Sequence, residues 1–158
     1  MSTKDSQGLD AIDRNLLSLL AQDAEQSYAQ LGDKVGLSAP AVHERVKRYK
    51  SSGRISGVSA HLDPTMTGKD FLAFIHVDTS GWGKSDGIMQ LAELPEVEEI
   101  HSVTGDTCML LKVRMETPKA MEALLDRIYK LPEVTSTKTY VALSTYLERP
   151  VQPGITTF

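Results

Sequence analysis

Residues 27–53 read SYAQLGDKVGLSAPAVHERVKRYKSSG, and the punctuation of this stretch decides the N-terminal fold. Ser27 with Gln30 three residues on has the form of a capping box. Tyr28, Leu31 and Val35 then supply a short apolar face before Gly36 stops the helix. Ser38 opens the next helix, where Pro40 is tolerated because first-turn amides have no intrahelical partner. Its inward face is predicted to be Ala39, Val42, Val46 and Tyr49, and Gly53 is the stop. Upstream, Leu9, Ile12, Leu16, Leu17 and Leu20 recur at spacings of three and four, which predicts one more amphipathic helix ending near Ala21.

The positions left over on the third helix carry the chemistry. Ala41, His43, Glu44, Arg45, Lys47, Arg48 and Lys50 are expected to project outward. Between Lys34 and Arg54 there are six basic residues, and the sole acid is Glu44. Two helices joined by the tight Gly36-Leu37-Ser38 turn, the second basic on its exposed side, match a helix-turn-helix that enters the major groove of double-stranded DNA. Lysine and arginine neutralise phosphates on the groove walls, while Ala39, Ala41, His43 and Glu44 in the first turns are small or polar enough to approach base edges. The candidate DNA-binding set is therefore Ser38, Ala39, Ala41, His43, Glu44, Arg45, Lys47, Arg48 and Lys50. A three-helix packing module with a cationic outer face is the blander reading.

Whole-chain composition hides this cluster. The 158 residues carry a formal charge of -4, with 41% hydrophobic and 24% charged residues, an ordinary balance for a globular protein. No apolar run approaches the ~20 residues of a membrane span. Met1 to Leu9 lacks a secretory signal pattern, and Cys108 alone cannot form an intramolecular disulfide, so a reducing, cytoplasmic setting is expected.

The C-terminal half repeats itself. Leu94-Pro95-Glu96-Val97 and Leu131-Pro132-Glu133-Val134 are the same tetrapeptide, and each follows a helical pattern and precedes a strand-like one. Phe71 to Val77, Val97 to Val103, Cys108 to Met115 and Val134 to Leu143 read as strands. Ile88, Leu91 and Leu94 mark one helix, and Met121, Leu124, Leu125 and Ile128 mark another that opens at Thr117-Pro118. Two β-α-β units give the ferredoxin-like βαββαβ arrangement, an antiparallel sheet with both helices on one face. Phe74, Leu110, Val141 and their neighbours suggest that the other face buries as well, through a homodimer. The expected division is 1–53 for the helix-turn-helix, 54–69 for an extended hinge strand, 70–150 for the sheet domain and 151–158 for a tail.

The run LSAPAVHERVKRYKSSGRISGVSAHLDP, with VTGDTCMLLKV and LPEVTSTKTYVAL further on, resembles the Lrp/AsnC family of feast/famine transcriptional regulators. The family's pattern is a Leu-Ser turn, a Val-x-x-Arg-Val-Lys-Arg recognition helix and a Gly-x-Ile exit. Here these stand at Leu37-Ser38, Val42 to Arg48 and Gly53-Arg54-Ile55. The resemblance implies an α+β chain with an N-terminal winged-type helix-turn-helix and a C-terminal ferredoxin-like effector (RAM) domain. It also implies a dimer, often assembled into an octamer, that binds pseudo-palindromic DNA and answers to an amino acid or similar small-metabolite effector. Effector contacts would come from Gly105, Asp106, Thr107 and Cys108 and from Tyr140, Val141 and Ala142. One position departs: many members continue Gly-Asp-aromatic-Asp, whereas this chain has Thr107 and Cys108, which removes a carboxylate that would suit an ammonium and implies a different effector, weak binding, or recognition of the amine through Asp106 and backbone carbonyls.

No cofactor or metal is expected. His43, His61, His76 and His101 share no ligand spacing with Cys108, and no catalytic triad, phosphate-cradling loop or paired catalytic carboxylate emerges, so the chain is not read as an enzyme. Trp82, between Gly81 and Gly83, either lines the effector interface or caps its loop, and is read as the latter. Two rival functions share the architecture: a low-specificity DNA-architectural protein, and an enzyme resembling the sirohaem decarboxylases. The exposed cations of residues 42–50 have a use on DNA and none obvious in a decarboxylase.

Overall fold

The computed structural model describes residues 8–81 and 85–154. It divides into two units, one of the residues up to Ala60 together with the chain from Leu147, the other His61–Tyr146.

The first unit is built from α1 (Ala11–Gln22), α2 (Tyr28–Val35) and α3 (Ala39–Ser51). Each begins at a side-chain cap: Asp10, Ser27 and Ser38 accept from the amides of Asp13, Gln30 and Ala41. Such caps contribute about 1 kcal/mol each. Leu16, Leu31, Val42, Val46 and Tyr49 form the core, with Leu17, Leu20, Val35, Leu37 and Ile55 packed around it. Ala39, expected inside, is only half-buried, as is Ala41, expected outside. The chain from Leu147 groups with this unit, where the expected division keeps residues up to 150 with the sheet domain. The Arg14 guanidinium donates to the Pro153 carbonyl at 2.9 Å.

The second unit has the order β1 (Phe71–Thr79), α4 (Asp86–Gln90) with a 3-10 turn at Leu91–Glu93, β2 (Val97–Ser102), β3 (Met109–Met115), α5 (Pro118–Tyr129) and β4 (Val134–Val141). All pairings are antiparallel and the strand order is β2-β3-β1-β4. The repeated tetrapeptides do the same job twice. Leu94 donates to Leu91 and Val97 to Leu94 ahead of β2; Leu131 donates to Ile128 and Val134 to Leu131 ahead of β4. Proline and two closing hydrogen bonds thus turn each helix end into a strand start.

Ala73, Ile75 and Val77 of β1 and Met109, Leu111, Val113 and Met115 of β3 meet Ile88, Leu91, Met121, Leu124 and Ile128 beneath the helices. The alternate residues, Leu72, Phe74 and His76 with Leu110, Lys112 and Arg114, form the open face. The expectation for this face needs correcting. Val141 pairs with Ala73 and so belongs with the helix-side set. The open face also carries charge: Glu98 binds Arg114 at 2.7 Å and Lys112 at 3.2 Å.

The expected hinge strand over 54–69 does not form. Short apolar alternation there has no partner strand, and a lone strand leaves its amides unpaired. Instead Asp63 accepts from Thr65 and Met66 at 2.8 and 3.1 Å, closing a turn that ends at left-handed Gly68. Among the described residues no strand precedes β1, so the helix-turn-helix carries no wing strands there. Trp82 lies outside those residues.

Candidate nucleic-acid interface and effector surface

The turn between α2 and α3 is set by two glycines. Gly36 takes a left-handed conformation (φ 72°), which ends α2 without a steric penalty. Gly32 lets the turn fold back: Leu37 donates to its carbonyl at 2.9 Å, and a Cβ on Gly32 would stand 2.3 Å from the Leu37 oxygen. A glycine inside a helix costs about 1 kcal/mol relative to alanine, and that cost is the sequence signal for a close backbone approach.

From this turn α3 presents His43, Glu44, Lys47, Arg48 and Lys50, all exposed. Ser38 is exposed too, but its hydroxyl is committed to the Ala41 amide at 3.4 Å. Tyr28, read from the sequence as part of an inward face, is 37% exposed, and its ring lies 5.4 Å from that of His43. A half-exposed aromatic at the start of α2 therefore adjoins the first turns of α3. No local pattern signals this pairing, because it joins residues on different helices.

Arg45 requires a correction. It does not project freely outward. Its guanidinium reaches α1, bonding Asp10 at 3.0 Å and, more closely, Asp13. Asp13 is only 7% exposed and also receives the hydroxyl of fully buried Tyr49 and the Arg48 guanidinium at 3.3 Å. Burial pulls the Asp13 carboxyl upward, but the Tyr49 hydroxyl, Arg45 and the Asp10 amide outweigh it and hold the group below its usual value. Burial, and then the hydrogen bond to Asp13, push the Tyr49 phenol up to about 12. The helix-cap pair Asp10 and Asp13 thus doubles as an anchor for α3. Arg48 contributes to both sides: it touches Asp13, yet its side chain is 51% exposed. What α3 offers a phosphate backbone is Lys47, Lys50 and the exposed part of Arg48.

On the second unit, the residues proposed for an effector come from two places. The loop ahead of β3 carries Gly105 (φ 139°) and Asp106, both exposed, followed by half-buried Thr107 and Cys108. The Thr107 hydroxyl lies 3.3 Å from the Val77 carbonyl, tying the loop to β1. At the far end of β4, Tyr140 is 50% exposed on the open face with its ring 5.0 Å from that of His76. Val141 faces the helix side, and the Ala142 amide closes onto the Leu72 carbonyl at 3.0 Å. The two groups sit at opposite ends of the β1 ladder: Val77 pairs with Met109 next to the loop, whereas Ala73 pairs with Val141. Within one copy they do not converge.

Comparison with known proteins agrees with both units. Residues 9–50 match the AsnC-type helix-turn-helix domain, and residues 72–152 match the Lrp/AsnC ligand binding domain. The leucine-responsive regulatory protein of Escherichia coli is 37% identical over 140 residues, 85% of each chain. The HTH-type transcriptional regulator FL11 of Pyrococcus horikoshii is 32% identical over 145 residues, 92% of this chain and 96% of that protein. Among solved structures, a feast or famine regulatory protein from M. tuberculosis complexed with L-methionine superposes with a TM-score of 0.82 at 34% identity, covering 89% of this chain and 96% of that one.

Proposed function

Because the chain belongs to the Lrp/AsnC family of transcriptional regulators, we propose that it acts as a homodimer whose two α3 helices read half-sites in successive major grooves, under control of an amino acid bound by the sheet domain. The observation that carries the DNA-binding half is the α2–α3 turn at Gly32, Gly36 and Ser38, which delivers a helix with His43, Glu44, Lys47, Arg48 and Lys50 exposed along it. Half-sites about 34 Å apart suit two such helices, and each helix adds its own phosphate contacts, so a dimer gains where a monomer binds weakly.

The open sheet face supports the dimer. Half-buried Phe74 and Leu110 and exposed Tyr140 supply its apolar part, and the ion pairs of Glu98 and Glu99 with Lys112 and Arg114 line one side. Assembly of dimers into octamers would let the two ends of the β1 ladder, which stand apart in one copy, meet across copies at a shared effector site. The relatives named above are regulators, and a regulator without enzymatic activity or cofactor, working in the cytoplasm, is the reading that this supports. No described helix is long and apolar enough to cross a membrane.

Selection of bound fragments from genomic DNA, with and without the twenty amino acids, tests the reading as a whole. The expected result is a small set of enriched fragments sharing a two-fold sequence, with occupancy altered by one or a few amino acids. Retention of all fragments alike would show an architectural protein instead.

A further inference from the structure

Several carboxylates of the second unit are paired with cations, whereas Asp78 and Glu133 are held by hydroxyl and amide donors, and of these two Asp78 adjoins the Gly105–Cys108 loop. Lys69 neutralises Glu116 at 2.5 Å, Lys130 neutralises Asp126 at 2.5 Å, and Lys112 and Arg114 serve Glu98 and Glu99. Asp78, near the end of β1, is held by neutral donors. The Ser136 hydroxyl, directly opposite on β4, donates to its Oδ2 at 2.6 Å, and Thr107 and the Cys108 amide also face the carboxylate. The Ser136 hydrogen bond first, and these neighbours after it, hold the carboxyl below its usual range, so it carries a full negative charge at neutral pH. Lys138 is near enough to favour that charge, but among the described residues no cation forms an ion pair with Asp78.

We propose that Asp78 receives the ammonium group of the amino-acid effector, at the junction of β1, β4 and the Gly105–Cys108 loop. The proposal rests on the effector reading above and supplies it with a specific anchor. Three features of the junction favour a cation there. The carboxylate is preorganised, since the Ser136 hydroxyl fixes its orientation at a point where the β1–β4 register shifts between Asp78 and Thr79. It lies at the end of β1, past the apolar part of the open face, where Ser136 is exposed and Asp78 itself is half-buried. It is adjacent to Cys108, so the charge missing from the loop at that position is present on the neighbouring strand. A charge-assisted hydrogen bond from an ammonium to an ionised carboxylate is about twice as strong as a neutral one, and it discriminates a free α-amino group from an acylated one. Asp106, exposed on the same loop, adds to the negative potential without the same fixed orientation.

Calorimetric titration of the full-length protein with each of the twenty L-amino acids, and then with the N-acetyl derivative of the tightest binder, tests the assignment. The expected results are binding of at least one free amino acid, loss of about tenfold or more in affinity on N-acetylation, and a comparable loss in Asp78→Asn. The asparagine keeps an acceptor for Ser136, so its melting temperature should stay near that of the parent. An Asp78→Asn protein of unchanged melting temperature and unchanged affinity would overturn the proposal while leaving the effector reading intact. Should the variant fail to fold, the acetylated ligand decides on the parent protein alone, and equal affinity for both ligand forms would overturn it. Binding of no amino acid at all would remove the effector reading and this inference together.

Discussion

Arg45, on the helix assigned to the DNA groove, is bound by Asp13 of the first helix, a carboxylate that also takes up the Tyr49 hydroxyl beneath it. One basic residue of the recognition helix is thereby spent inside the domain. Its role is to fix the pitch of α3 against α1, and the phosphate-directed charge falls to its neighbours.

Removing the anchor should be costly. Asp13→Ala would leave Arg45 and Tyr49 without their shared acceptor, and deleting one partner of a buried ionic cluster costs about 3 kcal/mol. Urea unfolding of the parent, Asp13→Ala, Arg45→Ala and the double variant checks this. The double variant should be less destabilised than the sum of the singles, because the two side chains act on each other.

The same cluster sets an acid limit. The folded-state pKa of Asp13 lies below its ordinary value of 3.8, so the stabilisation is fully present above that value and is lost as pH falls through the lower folded-state value. Urea midpoints measured from pH 7 downward should hold steady to about pH 4 and then drop. Asp13→Asn should start lower and show a shallower fall.

Gly32→Ala tests the turn. A methyl group 2.3 Å from the Leu37 carbonyl forces the α2–α3 connection apart, outweighing the ~1 kcal/mol that alanine would otherwise gain in a helix. The expected outcome is a lower melting temperature for the helix-turn-helix unit and DNA affinity reduced at least about tenfold, measured on the variant at a temperature where it remains folded.

Tyr28 and His43 should behave as a unit on DNA. Each single alanine variant is expected to weaken binding to a selected fragment by roughly fivefold, and the double variant by little more, since the rings support one another. Fluorescence anisotropy with labelled duplex measures this; fully additive losses would separate their roles.

Much of this fold was legible because its determinants are local or periodic. The caps at Ser27 and Ser38, the stop at Gly36 and the apolar rows of α3 lie within a few residues of what they control. The doubled Leu-Pro-Glu-Val marked both helix-to-strand transitions. Arg45 was not legible. It sits three residues after Val42 and four before Tyr49, on the border of the buried face, where outward or bridging placement depends on a carboxylate 32 residues away. Asp10 and Asp13 cap the start of α1, and nothing within a few residues of them marks either one as shared with α3. Residues 54–69 misled because alternation alone does not supply a partner strand. Asp78 escaped notice because its importance comes from Ser136 and Cys108, which only the sheet register brings to it.

The most direct test of the central claim is the salt dependence of DNA binding by the parent, Arg45→Ala, Lys47→Ala and Lys50→Ala, measured on one selected duplex from low to moderate salt. Each phosphate contact contributes about 0.9 to the slope of log affinity against log salt. The account predicts a steep slope for the parent, a decrease of about one for each lysine variant, and an unchanged slope for Arg45→Ala even though its stability falls. A parent protein that retains no duplex in dilute buffer, or lysine variants with the parent's slope, would contradict it.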